Sequence, residues 1–159
     1  MTEDDFQPIG VPDCAATWPI SVETADWFEA TVDRSGVSRR VAHVNNAEYV
    51  RWIDIVAVLA GVRAGSTRER LERDNLLWFV ARHEIDYRGE TFPDDRIVAG
   101  TWLSDWTRVS VVRHTFIGRP SDRQVLVTAR TKWVLVDGET RRPTRIPPDF
   151  LRQDPDPAA

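Results

Sequence analysis

The sequence predicts an α+β domain in which an antiparallel sheet wraps around one long helix. Three observations lead there. Apolar side chains keep a helical spacing over one extended stretch that begins near Asn46. One strand-like segment precedes it, over residues 26–37. Alternating apolar and polar segments follow it, divided by turns rich in glycine, proline and acids.

Residues 1–22 contain four acids and three prolines and show no sustained periodicity, so they are read as an extended or loosely docked tail. A single domain is expected over residues 23–150, and residues 151–159 are read as a frayed end. In the first strand Trp27, Glu29 and Thr31 share one face, and Phe28, Ala30 and Val32 the other. The polar loop Arg39-Arg40-Val41-Ala42-His43-Val44-Asn45 then leads into Asn46, the expected helix start. Glu48 falls in the first turn, where a negative charge suits the helix dipole. Tyr49, Trp52, Ile53, Val56 and Ala60 recur at helical spacing, widened by Val50, Ala57 and Leu59. A helix of about 15 residues this apolar must be largely buried. Gly61 and Gly65 punctuate its end. Ser66-Thr67-Arg68-Glu69 has the spacing of a capping box for a short second helix, to about residue 73.

The remainder reads as strands. Phe79, Ala81, His83, Ile85 and Tyr87 alternate with Val80, Arg82, Glu84 and Asp86. Residues 89–95 supply a turn, and strands are expected over 97–106 and 108–117. Gly118-Arg119-Pro120-Ser121-Asp122 is a hairpin connection to the clearest strand, 124–136. There Val125, Val127, Ala129, Thr131, Trp133 and Leu135 alternate with Gln124, Thr128, Arg130 and Lys132.

A chain of 159 residues fits one domain, and 42% hydrophobic with 29% charged residues is an ordinary globular balance. The net charge is −4 and the arginines are scattered among acids, which argues against a nucleic-acid partner. Cys14 is the single cysteine, so the chain cannot form an internal disulfide, and no cysteine–histidine spacing suggests a metal. The acidic opening lacks a signal-peptide profile, and no apolar run approaches the ~20 residues of a membrane span. A cytoplasmic protein without membrane attachment is the expectation.

The stretch Ala42-His43-Val44-Asn45-Asn46-Ala47-Glu48-Tyr49-Val50-Arg51-Trp52-Ile53-Asp54 resembles the GHVNNxxYxRWxD signature of hotdog-fold thioesterases, of the 4-hydroxybenzoyl-CoA thioesterase type and the related acyl-ACP thioesterases. RHEIDYRGETFPDDRIVAGTW and VDGETRRPTRIP resemble the family's later strand-turn-strand and closing segments. The resemblance implies a hotdog fold, with a long helix wrapped by a curved antiparallel sheet. It implies a homodimer or homotetramer with active sites at the dimer interface. It also implies an acyl-CoA or acyl-ACP substrate, with coenzyme A present as part of the substrate and no separate cofactor.

Thioester hydrolysis needs a group to stabilise the developing oxyanion and a group to activate water or attack the carbonyl. By the resemblance, the free amides near Asn46 serve the first need. The family's aspartate, four residues before the histidine, is replaced here by Arg39, whose guanidinium stays protonated and cannot act as a base. His43 is the favoured general base and Glu48 the second candidate; Asp33 would need a register shift to take part. Arg39 and Arg40 fit the phosphates of coenzyme A or an acyl carboxylate. Asn45 and Tyr49 complete the expected substrate-binding set, although capping accounts for Asn45 equally well and core packing is the favoured reading of Tyr49. The replaced aspartate also suits a non-hydrolytic acyl-CoA-binding protein. A dehydratase of the same fold would need an additional histidine–acid pairing that the sequence does not display. His83 and His114 are read as structural or surface residues, and Cys14 as no nucleophile.

Overall fold

A computed structural model describes residues 1–18, 24–38 and 40–151. The strands are β1 (Gln7–Ile9), β2 (Asp26–Thr31), β3 (Leu76–Tyr87), β4 (Arg96–Ser104), β5 (Ser110–Arg119) and β6 (Gln124–Asp137); the helices are α1 (Asn46–Arg63) and α2 (Arg68–Arg73). All strand pairs are antiparallel, and the six-stranded sheet has the order β1-β2-β4-β5-β6-β3. The strand that follows the helices therefore lies at one edge, and β1 forms the other.

The concave face of the sheet holds α1. Tyr49, Trp52, Ile53, Val56 and Ala60 meet Phe28, Ala30, Ile97, Ala99, Ile117, Val127 and Ala129 in the main core. These are the helix and strand faces that the apolar periodicities select. Trp52 and Ile53 are each 1% exposed, and a side chain of this size contributes about 1.5–3 kcal/mol when fully buried. The opposite face of β2 and β4 is also covered: Trp27, Val98 and Phe116 pack under Ala15 and Trp18 from the amino-terminal segment. Gly100 is needed here, since a Cβ would come within 2.7 Å of the Trp27 indole.

Several elements differ in detail from the sequence reading. Strand β2 ends at Thr31, because Asp33 turns the chain by accepting from Ser35 N–H and Oγ–H. The first helix runs for 18 residues and continues through Gly61. Thr67, one residue beyond the expected Ser66, caps α2 by accepting from Arg70 N–H. The amino-terminal residues, aperiodic in sequence, include the edge strand β1 and send Met1 and Phe6 into the main core.

The even alternation expected through residues 79–87 is broken. A bulge between Val80 and Arg82 shifts the register of β3 on β6. One inserted residue exchanges the two faces of a strand. Trp78 therefore lines the concave side along with Ile85, while Phe79 is 60% exposed. Glu84 pairs with Arg82 and Arg130. His83 is exposed and meets Thr131 Oγ1 at 2.9 Å, and His114 stacks on Trp102.

Candidate active site

The amino-terminal end of α1 is built by two segments that grip each other. The loop before the helix folds back on itself: Val37 bridges Val44, Ser38 N–H donates to His43 O, and Asn45 N–H donates to Gly36 O. The β3–β4 connection then holds the loop, with Val44 N–H donating to Thr91 O at 2.8 Å. Below it, the Tyr49 hydroxyl donates to Thr91 Oγ1 at 2.8 Å and lies 3.3 Å from Gly89 O. Burial raises the Tyr49 phenol's pKa, against the pull of its Thr91 hydrogen bond. Tyr49 is thus a core residue whose polar end ties helix to loop.

Asn45 is the cap. Its Oδ1 accepts from Ala47 N–H at 3.0 Å, and its carbonyl accepts from Glu48 N–H at 2.9 Å. Those contacts occupy two of the amides that a helix start leaves open. Among the described residues, the remaining Asn46 N–H has no acceptor, and Asn46 is exposed. The Tyr87 hydroxyl approaches Asn46 O at 3.4 Å, and the Tyr49 and Tyr87 rings meet edge to face.

His43, three residues before Asn46, has its side chain 28% exposed, and its Nδ1 lies 2.7 Å from Glu90 Oε1. A carboxylate only accepts, so Nδ1 is the donor in this bond, and in a neutral ring Nε2 then keeps its lone pair. Glu90 was not legible as a site residue, since it is 47 positions away in a turn read only as a connection. The only hint is an acid between Gly89 and Thr91 in a segment that otherwise resembles the family. Arg119 is a second residue not anticipated. Its guanidinium donates to Glu90 O at 3.0 Å and to Asp95, Asp122 and Gln124, which fixes the turn that carries Glu90.

The other expected residues fall as follows. Glu48 lies against the loop: a Cβ on Gly36 would overlap its Cγ, at 2.1 Å, and its carboxylate is 3.7 Å from Arg51. Asp33 is held by Ser35 and by the Met1 amino group, which bring its pKa down to about 2. Arg40 is exposed on the same loop. Arg39 lies outside the described residues. Beside the loop, Arg34, Val37, Ala42, Phe92 and Pro93 border an open depression. Among the described residues, no group of three or more histidine, cysteine or acidic side chains is placed to hold a metal, and no helix is long and apolar enough to cross a membrane.

Comparison with known proteins agrees with this architecture. The family model described as the thioesterase-like superfamily matches residues 30–153. A chloroplastic acyl-[acyl-carrier-protein] hydrolase of Cuphea viscosissima is 30% identical over 90 residues, 57% of this chain and 21% of the relative. The matches to the curated relatives span between 21% and 26% of those proteins' length. Among solved structures, a 1,4-dihydroxy-2-naphthoyl-CoA thioesterase from Synechocystis superposes with a TM-score of 0.71 at 12% identity, over 78% of this chain and 90% of that one. A Staphylococcus aureus protein solved in complex with CoA gives a TM-score of 0.74 at 16% identity, over 84% of this chain and 83% of the other. At such identities these structures establish the shared hotdog fold.

Proposed function

Because the chain belongs to the thioesterase-like superfamily, we propose that it hydrolyses an acyl thioester carried by coenzyme A or by acyl carrier protein. The observation that carries the reading is the pairing, at one helix end, of the unengaged Asn46 N–H with an imidazole held by Glu90. The thioester carbonyl oxygen rests on Asn46 N–H, where the helix dipole favours the negative charge of the tetrahedral intermediate. Nε2 of His43 takes a proton from water as it attacks the carbonyl carbon. Glu90 stabilises the resulting imidazolium and fixes the ring, much as the acid of a triad does. The same proton then returns to the departing thiolate sulfur.

Asn45 shapes the helix start, and Tyr49 keeps the loop seated. The exposed Arg40, with Arg39 beside it in sequence, offers charge to the phosphates of the carrier. That the curated relatives act on acyl carrier protein, and that one structural neighbour holds CoA, supports both carriers. A homo-oligomer with the site at its interface is part of the reading. The long edge strand β3, with Leu77 and Phe79 exposed on it, is the surface available for a second copy.

The deciding experiment is a thiol-release assay over short, long and aromatic acyl-CoAs and acyl-ACPs, with His43→Gln, Glu90→Gln and Glu48→Ala. His43→Gln should lower turnover at least ~10²-fold and Glu90→Gln at least ~10-fold. A full loss in Glu48→Ala with His43→Gln unaffected would move the base to Glu48. Saturable acyl-CoA binding without any thiol release would instead identify a binding protein.

A further inference from the structure

A cavity of about 100 Å³ lies at the other end of α1, enclosed in part by Ala57, Gly61, Trp78, Leu103, Trp133 and Arg113. It is distinct from the His43 site: Ala57 and Gly61 lie 11–15 residues beyond Asn46, or ~16–22 Å along the helix. Its lining is mostly apolar, with a charged exception. Arg113 is only 7% exposed, and its Nη1 donates to Thr101 Oγ1 at 3.2 Å. Among the described residues, no carboxylate forms an ion pair with it; Asp26, the acid whose field it feels, is paired with Arg63 at 3.0 Å. Burial pushes the Arg113 pKa down to about 10. Trp133 lines the same cavity with its ring, while its Nε1, like those of Trp27 and Trp52, is closed off and has no hydrogen-bond partner among the described residues. By contrast, the Nε1 of Trp78 is satisfied by Ser66 Oγ at 2.9 Å.

A buried guanidinium answered by one hydroxyl in a mostly apolar lining is unfavourable unless something supplies acceptor oxygens. Water or a neutral carbonyl would satisfy one donor and leave the charge unmatched. We propose that this cavity recognises a carboxylate on a short apolar tail, through Arg113. The size is appropriate: it is smaller than the ~150 Å³ cavity that accepts a benzene ring, so it admits the end of a ligand only. The carboxylate has two sources, a separate carboxylic acid or the far end of the acyl group being hydrolysed. The second source alone rests on the proposed thioesterase activity.

Trp78 and Trp133 make the cavity visible by intrinsic fluorescence. Hexanoate titrated into the full chain at pH 7 should give a saturable change, and hexan-1-ol should bind at least ~10-fold more weakly, as expected for a charge-assisted hydrogen bond. Arg113→Met should weaken hexanoate at least ~10-fold and bring it level with the alcohol. Arg113→Gln keeps polar donors and removes only the charge, so a loss specific to hexanoate there carries the test if Arg113→Met does not fold. Equal binding of acid and alcohol, or no saturable response from folded wild type, would overturn the proposal. Hexanoate that competes with acyl-CoA turnover assigns the site to the substrate's far end, while saturable binding without competition assigns it to a separate acid. A chain without thioesterase activity that still prefers hexanoate would sink the proposed hydrolysis and keep this site.

Discussion

At the amino-terminal end of α1 the polar groups lie near solvent and hold one another: Asn45 caps, Glu90 holds His43, and Arg119 holds the turn bearing Glu90. At the carboxyl-terminal end Arg113 is buried against a mostly apolar cavity, with Thr101 Oγ1 accepting from one of its several donors. The first end leaves one backbone N–H and one imidazole nitrogen open, which suits chemistry on a group that arrives from solvent. The second offers charge against a mostly apolar lining, where electrostatic contacts are stronger than in open water. On the two proposals made above, one helix separates a place for reaction from a place for recognition.

That contrast can be broken most forcefully at His43. His43→Gln should lower thioester turnover by ~10²–10⁴ while the melting temperature stays within error, since the ring belongs to no core cluster. A large loss of stability would make the His43–Glu90 pair a structural clasp. Tyr49→Phe should act the opposite way. It leaves the buried Thr91 hydroxyl without its donor and costs about 1–3 kcal/mol in denaturant unfolding. The two caps give a smaller, paired test. Asn45→Ala and Thr67→Ala should each cost about 1 kcal/mol of stability, but only Asn45→Ala should also reduce turnover, because only the α1 start is proposed to hold the thioester. Equal turnover in both would sink the assigned role of Asn46 N–H. The smallest effect concerns Asp33. Its folded pKa of about 2 lies below the ordinary 3.8, so its contribution is complete above about pH 4 and is lost as pH falls through 2. The carboxylate is half-exposed, so Asp33→Asn should cost at most about 1 kcal/mol at pH 7, a difference that urea titrations should find vanishing toward pH 2.

Local signals made the helix and its surroundings legible. Apolar spacing located α1 and its buried face, because a helix repeats its environment every few residues. Turn chemistry bounded β4, β5 and β6 to within a few residues. The bulge in β3 was not legible, since Val80, Ala81 and Arg82 fit a regular strand equally well and only the pairing with β6 decides where an extra residue is absorbed. Nor was the amino-terminal strand β1: its residues Gln7, Pro8 and Ile9 have no alternation, and they order by pairing with Glu29, Phe28 and Trp27.

The site divides the same way. The sequence by itself placed His43 in the loop before the helix and located the Asn45–Asn46 helix start, because capping and loop position are properties of a few adjacent residues. It also determined that Arg39 stands where the family's acid is expected. Only the tertiary structure decided that a carboxylate is present after all, delivered by Glu90 across 47 positions, and that Arg113, unremarkable in an alternating strand, ends in an apolar cavity. Both depend on sheet order and register, which bring distant residues together, and a linear pattern carries that information only once the partners of each strand are known.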